Sequence, residues 1–192
     1  MVVKTREKLI EVARQLFAHK GVANTTMNDI AAASEKGRRT IYTYFKNKKE
    51  IYNAVLETES DHMVTSLREI VAEDAPVDER LRRFLMSRLE HGRTISSAYT
   101  SLKSWLKFDV RRMERIHRLV AEKEHALLDT LLREGIALGQ FDAERCALLD
   151  GFINQCISGL DLSNIDSAGS ADYVKAHAAF VDFVISDIKR KS

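Results

Sequence analysis

Only one proline (Pro76) and eight glycines occur among 192 residues, so the chain has few natural breakers of regular structure. No segment alternates apolar and polar residues with period two between turn residues, which argues against a sheet. The abundance of Ala, Leu, Glu, Lys and Arg favours helix throughout. No apolar run approaches the roughly 20 residues needed to span a bilayer. Charges at Arg6, Glu7, Lys8, Glu11 and Arg14 interrupt any signal-peptide core, so a cytoplasmic protein with no membrane association is expected. There are two cysteines, Cys146 and Cys156. On one predicted helix they would lie about 15 Å apart along the axis, which excludes an intrachain disulfide or a paired metal-ligand set. They read instead as small buried apolar residues. No GxSxG, P-loop, GxGxxG or HExxH occurs, and the six histidines are scattered without metal-ligand spacing. Neither an enzyme nor a metal or other cofactor is expected.

What the chain does have is an uneven charge. Residues 1–50 hold 11 Lys/Arg against 5 Asp/Glu, a net of +6, and residues 51–192 hold 19 against 23, a net of −4. A basic head on a mildly acidic body points to an anionic partner at the N-terminal end, with nucleic acid foremost.

Helical spacing of apolar residues organises that head. Leu9, Ile10, Ala13, Leu16 and Phe17 mark a helix over Thr5 to Lys20, stopped by Gly21. Thr26 with Asp29 forms a capping-box pair that opens a short second helix ending near Ser34. A third helix begins at Gly37 and runs through Tyr44 and Phe45. Asn47 with Glu50 caps a long fourth helix, 47–73, that connects the head to the rest. Pro76 starts a helix to Gly92, a separate piece spans Ile95 to Phe108, and a long helix covers Val110 to Leu138 before Gly139. Asp142 caps the next helix, a polar loop follows at Ser163 to Ser170, and the last helix covers Ala171 to Lys189. The expected division is a head at 1–46 and a body at 47–192.

A short helix, a tight turn and a second short helix match a helix-turn-helix, whose second helix enters the DNA major groove. On a wheel centred at Thr43, Ile41 and Phe45 fall about 160° away and pack inward. Arg39 and Thr40 lie within about 60° of Thr43 and share the groove face. Arg39 suits a bidentate guanine contact, and Thr40 and Thr43 suit a thymine methyl or base edge. Tyr42 and Tyr44 lie on the two flanks, where their hydroxyls can meet phosphates. Arg38 and Lys48 are further phosphate candidates, as is Thr26 at the start of the second helix.

TREKLIEVARQLFAHKG (Thr5 to Gly21), TTMNDIAAAS (Thr25 to Ser34) and RRTIYTYFKNKKEIY (Arg38 to Tyr52) together resemble the TetR (tetracycline-repressor-like) family of transcriptional regulators. The resemblance covers about the first 55 residues. It implies an all-α protein: a three-helix DNA-binding domain followed by a helical ligand-binding and dimerisation domain. It implies a homodimer that represses transcription from a palindromic operator and releases it when a small molecule enters the body. One departure stands out. The family's Ala-Gly-Val-Ser turn is Ser34-Glu35-Lys36-Gly37 here. That predicts a different backbone path, with the Lys36 stem over the core and its charge reaching solvent or phosphate.

The body offers less. Phe84, Tyr99, Trp105, Phe108, Met113, His117 and Phe152 are candidates to line a pocket for an apolar or aromatic effector. The last two helices carry apolar residues on more than one face, which suggests burial on two sides. Leu149, Ile153, Ile157, Tyr173, His177, Phe180 and Val184 are therefore candidates for contact with a second copy. Two alternatives remain at this stage: a helical adaptor that binds a protein through its basic head, and an activator of the same fold.

Overall fold

The computed structural model describes residues 2–100, 110–148, 151 and 171–190, with the side chains of 2–3, 91–100, 110–117 and 171–173 excepted. The fold is all-α. The helices are α1 (Val2–Lys20), α2 (Met27–Ala33), α3 (Arg38–Tyr44), α4 (Lys48–Ala72), α5 (Val77–Thr100) and α6 (Val110–Ala137). A helix α7, described over 143–148, and α8 (Ala171–Ile188) complete them. No helix among the described residues is long and apolar enough to cross a membrane.

The chain forms two compact units, Met1–Asp61 with Ala98–Arg112, and His62–Ser97 with Met113–Ser192. The first division between these units falls inside α4, between Asp61 and His62. In the first unit, Leu9 and Ala13 of α1, Ile30 of α2 and Ile41 of α3 are all but inaccessible. Ile51, Tyr52 and Val55 of α4 are buried as well, and the Tyr52 ring stands edge-on to Phe17 at 5.8 Å. The first half of α4 thus belongs to the core of the head.

Local chemistry fixes the helix ends. Gly21 (φ 77°) and Gly139 (φ 69°) take the left-handed conformation just past α1 and α6. Asp142 caps α7 by accepting the Arg145 N–H at 2.9 Å. The expected break between residues 92 and 95 is absent, because α5 runs unbroken from Val77 to Thr100. A helix of this length tolerates the roughly 1 kcal/mol that an internal glycine costs.

The second unit has its own core, in which Leu67, Leu81, Phe84, Leu85, Leu128, Leu131 and Val184 are buried together. Arg80 is buried beside it. Its guanidinium donates to the carbonyls of Ala75 (2.9 Å) and Val71 (2.8 Å) and pairs with Glu134, tying the α4–α5 connection to α6. The segment after α6 also pairs with the chain end. The Asp142 N–H donates to the Ile188 carbonyl at 2.8 Å, and the Arg190 N–H to the Gln140 carbonyl at 2.9 Å. Cys146 is a buried free thiol, as expected; burial, aided by nearby Asp142, pushes its pKa up to about 11. Cys156 lies outside the described residues, as does the loop expected at 163–170.

Candidate nucleic-acid interface

The interface is built on α2, α3 and the start of α4. At the N-terminus of α2, the Asp29 N–H donates to Thr26 Oγ1 (3.1 Å) and the Thr26 N–H donates to Asp29 Oδ2 (2.8 Å). This reciprocal box satisfies two of the helix's free donors. Those hydrogen bonds, from the Thr26 backbone and then its hydroxyl, hold the Asp29 carboxyl below its usual pKa. Thr26 itself is exposed.

The α2–α3 turn shows how the unusual Ser34-Glu35-Lys36-Gly37 sequence is accommodated. Glu35 has φ 56°, the only positive φ at a non-glycine among the described residues. Its N–H donates to the Ala32 carbonyl at 3.0 Å, and the Lys36 N–H to the Ala31 carbonyl at 2.9 Å. This pair of bonds is a Schellman ending, with Glu35 in the position that glycine fills most easily. Glu35 takes the left-handed conformation despite its side chain. Its carboxylate meets Lys8 Nζ of α1 at 3.2 Å, with both groups exposed. Lys36 is half-buried. Ser34 is fully buried and donates its hydroxyl to the Ala31 carbonyl.

Gly37 is the N-cap of α3 and offers no side-chain hydrogen bond. Ile41 (0% exposed) and Phe45 (3%) point inward. Arg39 and Thr43 are exposed, and Thr40 is half-buried. The Thr43 hydroxyl donates to the Arg39 carbonyl at 3.0 Å, which leaves its oxygen able to accept. Tyr42 is exposed, and the Arg38 guanidinium lies 5.7 Å from its ring centroid, one helical turn away. Tyr44 is half-buried. It lines an open cleft of about 160 Å³ with Arg6, Phe45, Glu50, Ala54 and Glu57. The helix α4 opens at Asn47, whose Oδ1 accepts the Glu50 N–H at 3.0 Å, while Glu50 accepts the Lys46 N–H at 2.7 Å.

Lys48 departs from expectation. The sequence makes its ammonium a phosphate candidate. Instead Nζ donates inward to the carbonyls of Val22 (2.7 Å), Ala23 (3.2 Å) and Thr25 (2.7 Å). Partial burial pushes its pKa down, against the pull of the Asp29 charge. Three donors meet three acceptors, so the ammonium is engaged within the protein. Backbone carbonyls of a loop leave no mark in the sequence, so nothing in it signals this role.

Among the pocket candidates, Phe84 is buried in the core of the second unit. The side chains of Tyr99, Trp105, Phe108, Met113, His117 and Phe152 lie outside the described residues. Leu149, Ile153, Ile157 and the Tyr173 side chain also lie outside them. Val184 (0% exposed) and His177 (6%) are buried within their own protomer, and Phe180 is half-buried against the same core. Within one copy, Val184 and His177 therefore present little surface of their own. Ala176, Ala179 and Phe183 are exposed instead, at i, i+3 and i+7 on one stripe of α8. Among the described residues, no cluster of three His, Cys, Asp or Glu could hold a metal ion.

Residues 9–55 match the family model described as bacterial regulatory proteins, tetR family. The "Probable acrEF/envCD operon repressor" of Escherichia coli (strain K12) is 42% identical over 71 residues, 37% of this chain. The chain spans only 30% of that protein's length. The "HTH-type transcriptional regulator TtgR" of Pseudomonas putida is 26% identical over 170 residues, 79% of this chain and 80% of that protein. A solved transcriptional regulator of the TetR/AcrR family from Thermobifida fusca shares the fold, with a TM-score of 0.71 at 20% identity. That match covers 96% of this chain and 98% of that one.

Proposed function

The chain belongs to the TetR family of bacterial transcriptional regulators, and on that premise we propose that it is a ligand-responsive repressor. In this reading a homodimer in the cytoplasm binds a palindromic operator, one head to each half-site. A regulator of this family is not an enzyme. The observation that carries the proposal is the split surface of α3. Ile41 and Phe45 are buried, while Arg39, Tyr42 and Thr43 stand exposed within an N-terminal segment, residues 1–50, of net charge +6.

The roles follow from donor chemistry and position. Arg39 makes a bidentate contact to guanine O6 and N7, and Thr40 and Thr43 approach neighbouring base edges or a thymine methyl. Arg38 and Tyr42 act as one unit on one flank, with Tyr44 on the other, and together they hold the two phosphate backbones. Thr26 adds a phosphate contact at the start of α2, and Lys36 adds one from the turn. The head is residues 1–46 in its DNA-contacting part, braced by the first half of α4.

A second copy covers the Ala176, Ala179 and Phe183 stripe of α8 together with Leu149, Ile153, Ile157 and Tyr173. An apolar or aromatic effector sits among Phe84, Tyr99, Trp105, Phe108, Met113, His117 and Phe152. It weakens DNA binding only as far as it prefers the form of the dimer that does not bind. The test selects a duplex from a random pool with the full-length protein, then titrates that duplex and its single-base variants. Saturable binding with discrimination between variants supports the proposal. A protein adaptor would discriminate among no duplexes.

A further inference from the structure

Lys48 stands at the first position of α4, where a positive charge opposes the helix dipole. Something must compensate, and the three carbonyls do. Those of Val22, Ala23 and Thr25 belong to the connection between α1 and α2 and converge on one nitrogen. Thr25 is fully buried and anchors the same connection, donating its hydroxyl to the Gly21 carbonyl at 2.9 Å. The next residue, Thr26, is the N-cap of α2, and the charge of its capping partner Asp29 favours the Lys48 ammonium. The α1–α2 connection, up to the residue before the N-cap of α2, is thus joined to the first turn of α4 by a single side chain.

We propose that Lys48 is a positioning residue, a latch that fixes the α1–α2 connection to the start of α4 and so sets where α2 and α3 stand. It is not a contact to the DNA backbone. Its consequence for binding rests on the DNA-binding reading above; its geometry does not. The α2 helix packs against both α1 and α3, so a displacement of the first turn of α4 reaches α3 through the latch and α2. Loss of the latch leaves every phosphate-contacting charge in place but loosens the frame that presents them.

Arginine and methionine separate the two roles. Lys48→Arg keeps the charge, and an arginine serves a phosphate at least as well as a lysine does. Its planar fork does not suit three carbonyls gathered around a point. Lys48→Met keeps the stem and removes the charge. With a 24-base-pair random-sequence duplex as the probe, Lys48→Arg should weaken binding about tenfold. Lys48→Met should weaken it similarly while leaving the slope of log K against log salt unchanged. A phosphate contact would instead make that slope shallower by about 0.9 per head in Lys48→Met. It would also let Lys48→Arg bind like the wild type.

The wild-type protein supplies a check that needs no variant to fold. Free of DNA, with lysine side chains labelled with ¹⁵N, it should show a Lys48 ammonium whose protons exchange slowly with water. A rapidly exchanging ammonium, a wild-type-like Lys48→Arg, or the shallower slope would each overturn the latch. If the wild-type protein bound no duplex at all, the DNA-binding reading would fall. The ammonium measurement would still decide the geometry.

Discussion

Replacing a mid-helix glycine by alanine ordinarily stabilises a helix by about 1 kcal/mol. At Gly135 of α6 the structure predicts the opposite. A Cβ there would lie 2.0 Å from Cδ2, 2.3 Å from Cε2 and 2.7 Å from Cγ of Phe141. The ring is buried (2% exposed), and its backbone N–H donates to the Gly135 carbonyl at 3.1 Å. The ring cannot retreat without giving up its site. Complete ejection would cost about 3–5 kcal/mol, the range for deleting a buried Phe, and a partial shift about 1–3 kcal/mol. After the helix gain is subtracted, Gly135→Ala should destabilise the protein by up to about 2 kcal/mol if the ring shifts and by about 2–4 kcal/mol if it is ejected. The background decides the cause. In a Phe141→Ala protein the clash is gone, and adding Gly135→Ala should stabilise by about 1 kcal/mol. Urea unfolding of the four proteins, followed by circular dichroism, measures the cycle. A stabilising Gly135→Ala in the wild-type background would refute this packing of Phe141 against α6.

Other perturbations probe separate parts of the chain. Arg80→Ala removes the donor shared by Val71, Ala75 and Glu134, and urea unfolding should show a loss of about 2–4 kcal/mol. At Glu35, thermal unfolding should rank glycine at or above the native glutamate and valine below it by about 1–2 kcal/mol, because the position is left-handed. The depressed Asp29 and Asp78 carboxyls, below their ordinary 3.8, contribute stability that is present above that value. That stability is lost as pH falls through their folded-state pKa values, so side-chain NMR titration should place both midpoints below 3.8. The Cys146 thiol, raised from 9.0 to about 11, contributes stability that is full below pH 9 and is lost as pH rises towards 11. In the native protein at pH 8 it should resist alkylation until urea exposes it, as timed mass spectrometry would show.

Much of the head was legible because its signals are local. Thr26 with Asp29, Asn47 with Glu50, and Gly21 each end a helix through a bond or a backbone conformation made within a few residues. The inward pair Ile41 and Phe45 follows from helical period alone. Where contacts are distant, the sequence is silent. The Lys48 ammonium is held by carbonyls of a loop more than twenty residues earlier in the chain. Carbonyls are the same at every residue, so a lysine at a helix start reads as a surface charge. At Glu35 the hydrogen bonds of the turn impose the left-handed conformation without a glycine. In α8 apolar residues occupy several faces, and only packing decides that Val184 and His177 turn inward while Phe183 remains outside. The pairing of residues after α6 with the end of α8 has no signature either, because it uses backbone groups alone.

The most direct test of sequence reading by α3 compares the wild-type protein with Arg39→Ala on a selected duplex and its single-base variants across a salt series. The wild type should lose affinity steeply with salt and prefer its site over random duplex by about 10³-fold or more. Arg39→Ala should flatten the ranking of variants at one base pair in each half-site, costing about 1–3 kcal/mol of discrimination there. Equal wild-type affinity for all duplexes, or an unchanged ranking in Arg39→Ala, would contradict the account.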